Sequence, residues 1–390
     1  MRIFADKRKI FDILICIGLF SIMAALVLYP GESVSAAHDG ITLCGNVIIP
    51  SLFPFFVLST LVIELGLAER FGHLLEPVMR PLFNVGGAAS AAFVLGFIGG
   101  YPIGAKAVIT LYKNGSISKS EAERLLAFCN NSGPSFILGV VGAGVFSSGK
   151  VGFLLYAAHV TASICIGITF RKWGGKSATY THAAKRTPQK YPGFTNAFIE
   201  SVKSSFQSTL NICGFVIFFC VFIKLLYLAG VIPALSHFLG HVFSPFGFDE
   251  EWAERLLTGF IELSSGVWTL QGAAGKLGSR MAMAAFMLGW AGLSIHCQVL
   301  SFIAGSGISA RTYIFGKFLH GSLSAAFVMI LSRLVSFDAP VSAYLAEQVT
   351  GIASMGFTTA LTVSMTSALT LWLIILAAAF FSSKNTGNIK

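Results

Sequence analysis

Residues 124–147 read RLLAFCNNSGPSFILGVVGAGVFS. The stretch is apolar over a length that crosses a bilayer, for which about 20 residues suffice. Yet Asn130, Asn131, Ser132, Gly133 and Pro134 sit together in its middle. Pro134 has no N–H to give and crowds the preceding turn, and Gly133 loosens the backbone. The Asn and Ser side chains place donors and acceptors in an apolar window. A helix broken at membrane depth is tolerated where its irregular backbone is buried in protein or lines a cavity. This one stretch therefore predicts a polytopic helical protein with a polar site inside it.

The whole chain agrees. Of 390 residues, 55% are hydrophobic and 11% charged, and the mean hydropathy is +0.76. A soluble globule carries roughly 25% charged residues, because something must face water. The deficit runs along the entire length, which excludes a soluble enzyme with a single anchor. The net charge of +10 does not point to nucleic acid, because the basic residues fall in short segments between apolar runs, as in the cytoplasmic loops of membrane proteins. The seven cysteines are scattered through apolar stretches with no CxxC spacing, so they read as small buried hydrophobes. At the N-terminus Met1 to Lys9 is basic, Ile10 to Tyr29 is apolar and Val34-Ser35-Ala36 resembles a cleavage site. The apolar run is long enough to span, and reads as an uncleaved first helix rather than a signal.

Apolar runs predict about eight full crossings, near 10–29, 41–67, 124–147, 151–170, 209–232, 284–305, 313–335 and 366–383. Two further runs, 87–112 and 257–283, are interrupted by Gly, Pro or Ser near their middles and read as re-entrant hairpins. The segment 341–365 fits either an interfacial or a re-entrant piece. With the N-terminus in the cytoplasm, Arg70, Arg80, Lys113, Lys119, Arg124, Arg311 and the basic stretch 171–193 fall inside, while Glu32, Asp39, Asp249, Glu250, Glu251 and Glu254 fall outside.

The chain also repeats itself. Gly96-Phe97-Ile98 recurs as Gly259-Phe260-Ile261, and Pro81-Leu82-Phe83 has an echo in Pro245-Phe246. Around each pair the order is a crossing, an amphipathic stretch, an interrupted hairpin, an interrupted helix and a further crossing. The fold class expected is thus all-α, with about eight crossings and two hairpins in two inverted repeats, an architecture of secondary transporters. The boundaries read are 1–37 for the first helix, 38–170 and 205–337 for the repeats, 171–204 for a basic cytoplasmic linker and amphipathic segment, and 338–390 for a C-terminal membrane segment.

Four interruptions carry the candidate site. Gly99, Gly100 and Tyr101, with Pro102 to Gly104, break the first hairpin, and Lys106 follows one turn later. Asn130, Asn131 and Ser132 break the next crossing. Ser264, Ser265 and Gly266 lie in the second hairpin, and Ser294, His296 and Gln298 in the crossing after it. The freed N-terminus of a half-helix presents bare N–H groups and a partial positive charge, which suit an anion. Ionisable groups at membrane depth are costly and tend to be functional. Besides Lys106 and His296, Glu64, His159, Lys224, Glu262 and His320 qualify. Glu262 reads as a coupling-ion ligand, a partner for Lys106 or a surface group, and His159, His320 and Lys224 read as contacts within the bundle or at its surface. No HExxH, GxSxG, P-loop or dinucleotide fingerprint is present, so no enzyme, metal or cofactor is expected.

The run Gly99 to Lys106 (GGYPIGAK), the run Cys129 to Pro134 (CNNSGP) and the duplicated hairpin-plus-broken-helix plan resemble the sporulation integral membrane protein family of the YlbJ type. That family carries the nucleoside-recognition, or Gate, domain and is similar in plan to concentrative nucleoside transporters. The resemblance covers about 38–337. It implies a role late in sporulation, placement in the outer forespore membrane or cell membrane, and movement of dipicolinate, a pyridine dicarboxylate, from mother cell towards forespore. Nucleoside transporters place a Gln-Thr-Glu run in the first hairpin and an Asn-Glu-Ser run in the second broken helix. Here Gly99 to Pro102 and Leu293 to His296 stand there. A dianion would be repelled by such acids and welcomed by N–H groups, Asn and Ser donors, Lys106 and His296, with Tyr101 placed to stack on an aromatic ring. The expected partners are a small anion and the bilayer, with no nucleic acid; a coupling ion and a homo-oligomer stay open. A nucleoside or other neutral metabolite, and a non-transporting sporulation scaffold, are the competing readings.

Overall fold

The computed structural model describes residues 2–173 and 192–334. The expected crossing 366–383, the segment 341–365 and most of the basic linker lie outside the described residues. Among the described residues every regular element is helical.

The first unit runs through α1 (Arg2–Leu28), α2 (Pro30–Leu43), α3 (Ile49–Glu64), α4 (Leu67–Phe83), α5 (Ser90–Ile98), α6 (Ile103–Lys113), α7 (Lys119–Cys129), a π-helical half Ser135–Val145, and α8 (Gly149–Thr169). The second runs through α9 (Phe194–Leu228), α10 (Val231–Phe243), α11 (Glu250–Ile261), α12 (Leu263–Trp268), α13 (Leu277–Trp290), α14 (Gly292–Ile303) and α15 (Ala310–Leu334). From α3 and from α9 onward the order is the same: a long helix, an amphipathic helix, two short helices with a break between them, a broken helix, a long helix.

The repeated glycines explain the two short pairs. Gly96 on α5 lies against Gly104 on α6, and a Cβ on either would run into the Cys129 carbonyl at the end of α7. In the second unit Gly266 on α12 lies against Gly259 on α11, and a Cβ on Gly259 would meet the Met287 side chain near the end of α13. Each repeated Gly-Phe-Ile triplet therefore marks the point where two hairpin arms cross and rest on the first half of the following broken helix. Only a residue without a side chain permits that approach. The amphipathic helices also begin alike, behind Gly66 (φ 67°) and Gly230 (φ 74°).

Among the described residues, four helices are long and apolar enough to cross a membrane: Gly149–Lys172, Phe194–Leu228, Leu277–Ile303 and Ala310–Leu334. Two sharply bent pairs, Asp12–Leu28 with Pro30–Asn46 and Leu75–Phe83 with Gly87–Ile98, raise the number to 6 if each is one span. The protein is an all-helical, multi-pass membrane protein. Several sequence boundaries shift. The expected crossing 41–67 is the later part of a helix that starts at Pro30, where proline suits the first turn, and passes through a π-helical turn at Cys44–Ile48. The second hairpin is not 257–283 but α11 with α12, because Glu262 interrupts the helix earlier than the Ser264-Ser265-Gly266 run and 277 onward already belongs to the broken crossing. Helix α9 starts at Phe194, inside the expected linker.

The inner bundle is α7, α8, α13 and α15. Helix α7 is fixed at its start by a capping box, in which Ser118 N–H donates to Glu121 Oε2 at 2.8 Å and Glu121 N–H to Ser118 Oγ at 3.3 Å. Arg124, fully buried, donates to the carbonyls of Asn84 at 2.8 Å and Trp173 at 3.1 Å. It therefore stitches α4 and the end of α8 to α7 rather than serving as a solvated loop charge.

Candidate functional site

Helix α7 stops at Cys129 because Asn130 turns to extended backbone (φ −96°, ψ 93°), and Pro134 starts the π-helical half. The gap receives the tip of the first hairpin. Gly100 (φ 77°) backs onto Gly133, where a Cβ would lie 2.8 Å from the Gly133 nitrogen. Asn130, Asn131 and Ser132 are all buried. Ala105 N–H donates to Asn130 Oδ1 at 3.3 Å, so Asn130 closes the start of α6. Asn131 Nδ2 donates to the Phe128 carbonyl at 2.8 Å and to Ser163 Oγ at 3.2 Å. Ser132 N–H donates to His159 Nε2 at 3.1 Å.

A second junction repeats the plan. Helices α13 and α14 part at Ala291 and Gly292, both at positive φ, and Gly292 lies against Leu263 and Glu262 at the tip of the second hairpin. Ser294, His296 and Gln298 are buried just inside α14. His296 Nδ1 lies 2.9 Å from Tyr313 Oη, and its ring stands edge-on to Trp290.

Helix α15 ties the junctions together through one face. Tyr313, Lys317, His320 and Ser324 recur at helical spacing, and all four are buried. Tyr313 meets His296. Lys317 Nζ donates to Tyr101 Oη at 2.7 Å and to the Asn130 carbonyl at 2.9 Å, and lies 3.0 Å from His320 Nδ1. His320 Nε2 lies 2.9 Å from the His159 carbonyl, and the two imidazole rings are 4.3 Å apart. Tyr101 O–H donates to the Leu288 carbonyl at 2.8 Å, which joins the first hairpin to α13. The Tyr101 ring, read above as a stacking surface, has Lys317 Nζ 4.8 Å from its centre.

The remaining residues stand elsewhere. Ser264 and Ser265 donate their backbone N–H groups to Glu262 Oε1 and Oε2 at 3.1 and 2.6 Å. Glu262, 2% exposed, is thus the cap of α12 and not a partner for Lys106. Lys106 donates to Ser204 Oγ at 2.7 Å and Ser208 Oγ at 3.0 Å on α9. It lines a cavity of about 210 Å³ between α3, α6, α9 and α14, together with Thr60, Glu64, Pro102 and Thr110. The predicted residues therefore divide between two junctions and one neighbouring cavity. Lys317 escaped the sequence reading, although a lysine three residues before His320 in an apolar crossing is a signal of the kind sought.

Five buried polar atoms at the junctions have no partner among the described residues: Asn130 Nδ2, Asn131 Oδ1, His159 Nδ1, Ser294 Oγ and His296 Nε2. Buried polar groups are ordinarily paired, so these are the places where a polar guest gains most.

Comparison with known proteins follows the same two segments. A profile of the family described as nucleoside recognition, Gate, matches residues 47–151 and 209–307. The sporulation integral membrane protein YlbJ of Bacillus subtilis (strain 168) is 31% identical over 344 residues, which cover 84% of each chain. The chain belongs to the YlbJ-type family of Gate-domain membrane proteins. Solved structures of CNTnw are similar over most of the chain. A variant in an intermediate 3 state shares 14% identity at a TM-score of 0.47, covering 85% of this chain and 87% of that one. An inward-facing substrate-bound state shares 13% at 0.46, covering 83% and 85%.

Proposed function

We propose that this YlbJ-type protein carries a small anion, most specifically dipicolinate, across the membrane from mother cell towards forespore. On this reading residues 38–170 and 205–337 are inverted repeats within about eight crossings, the α5–α6 and α11–α12 pairs are re-entrant, and the N-terminus is cytoplasmic. The membrane is the outer forespore membrane. The observation that carries the proposal is the pair of junctions where a hairpin tip meets a broken helix and leaves Asn130, Asn131, His159, Ser294 and His296 atoms unpartnered. Irregular backbone of this kind belongs at a substrate path.

The charges support an anion. Lys106 faces the cavity, and Glu262 is spent on the α12 cap. A neutral metabolite is the second reading, favoured by Glu64, which lines the same cavity as Lys106. Purified protein in liposomes, offered labelled dipicolinate and labelled nucleosides in parallel, separates the two. Dipicolinate uptake above protein-free vesicles is expected. Nucleoside uptake without dipicolinate uptake moves the assignment to the neutral class, and uptake of neither by folded protein defeats the transport reading.

A further inference from the structure

Lys317 has a role that substrate binding does not use. Its side chain is 0% exposed and does not line the Lys106 cavity. Among the described residues no ion pair includes it. A charge at this depth without a carboxylate is costly, so its hydrogen-bond partners decide what species it is.

All three partners accept. The Asn130 carbonyl can do nothing else. Tyr101 Oη gives its own proton to the Leu288 carbonyl and turns a lone pair to Nζ. His320 Nε2 faces the His159 carbonyl, so it carries the ring proton and leaves Nδ1 bare towards Nζ. Three acceptors match the three hydrogens of an ammonium. A neutral amine would set its lone pair against one of them. Among the described residues the titratable groups around Nζ are Tyr101 from the first hairpin, His159 from α8, His296 from α14 and His320 from α15 itself, and none of them is a carboxylate that could neutralise it.

The place matters as much as the species. Asn130 is the first residue past the end of α7, and its carbonyl is an unwound one beside the C-terminus of that half-helix. In broken-helix transporters, unwound carbonyls and half-helix C-termini hold the coupling cation. We infer that the Lys317 ammonium is a built-in cation, filling from within the chain the position at the end of α7 that a bound metal cation would otherwise take. Lys317 holds the hairpin tip, the break and α8 together through Tyr101, Asn130 and His320. If the protein transports, as proposed above, it does so without a bound sodium ion at this junction.

The test needs no substrate, so its outcome is separate from that of the uptake assay. The thermal unfolding midpoint of purified full-length protein is measured in detergent with choline, sodium or methylammonium chloride at equal ionic strength. Wild type is expected to give the same midpoint in all three. Lys317→Ala is expected to fall by about 5 °C or more in choline and to recover at least half of that loss in sodium or methylammonium. Lys317→Met, which removes the charge while filling the space, is expected to fall without recovering. A wild-type midpoint raised by sodium over choline overturns the inference, as does Lys317→Ala indifferent to both small cations or Lys317→Met recovering equally. Should Lys317→Ala fail to fold, the wild-type comparison decides alone.

Discussion

Glu262 shows how a buried acid can be satisfied by its own backbone. Its carboxylate receives two backbone N–H groups, from Ser264 and Ser265, at the first turn of α12. Charge-assisted bonds of that kind are stronger than neutral ones, and they satisfy donors that the start of a helix leaves open. Glu262→Gln keeps the shape and one acceptor but removes the charge, so it should cost about 1–2 kcal/mol. Chemical or thermal unfolding of the purified variant measures this. A ligand for a coupling ion would instead leave stability nearly unchanged and alter cation dependence. The sequence Glu262-Leu263-Ser264-Ser265-Gly266 contained this cap in plain form, an acid two and three residues ahead of free N–H groups. It read as a broken segment because serine side chains and glycine signal irregular backbone when taken alone. Lys317 was likewise visible, but its three acceptors come from Tyr101, Asn130 and His320 on two units of the chain, and no local spacing reports that.

The hairpins and broken helices are set by glycine contacts rather than by hydrophobicity. Gly96→Ala or Gly104→Ala would drive a methyl group into the Cys129 carbonyl, and Gly266→Ala would drive one into the Gly259 backbone. Each should destabilise the protein by about 3 kcal/mol or more, seen as lost folded yield or a lowered midpoint. Gly214→Ala is the control, because nothing lies within 4 Å of a Cβ there; it should be neutral or slightly favourable. At this scale the sequence was most readable where composition breaks a helix. The interruptions at Gly99 to Pro102 and Asn130 to Pro134 fall where Gly, Pro, Asn and Ser cluster. Two features were not readable. The π-helical half Ser135–Val145 is a run rich in Gly and Val with no distinctive period. The end of the second hairpin was misplaced because an apolar stretch continues through it, while the break falls at a buried glutamate.

For the whole molecule, the identical order of elements in the two described units is the strongest structural regularity, and the inverted arrangement proposed above would place their equivalent ends on opposite sides. In a variant lacking the native cysteines, produced in the plasma membrane of a host that does not sporulate, Asn114→Cys, in the turn after α6, should be shielded from an impermeant maleimide applied to intact cells. Glu250→Cys, at the start of α11, should react. Labelling of both from the same side would show that the N-terminal orientation or the inversion is wrong. The repeat was legible from two short echoes because glycine contacts conserve residue identity where apolar surfaces do not: Gly96 and Gly259 are fixed by what they touch. The way α15 joins the two junctions through Tyr313, Lys317 and His320 was not legible, since it depends on how the units dock.

The central claim is that a small anion passes the first junction and the cavity beside it. The most direct measurement is the initial rate of labelled dipicolinate uptake into liposomes containing wild type, Asn131→Ala or Lys106→Ala at matched amounts of folded protein. Asn131→Ala removes the side chain with the unpartnered Oδ1, and Lys106→Ala removes the ammonium held by Ser204 and Ser208. Each should slow uptake at least about tenfold, the effect of losing one interaction worth about 1.4 kcal/mol in the transported complex. Rates equal to wild type in both variants would contradict the placement of the site.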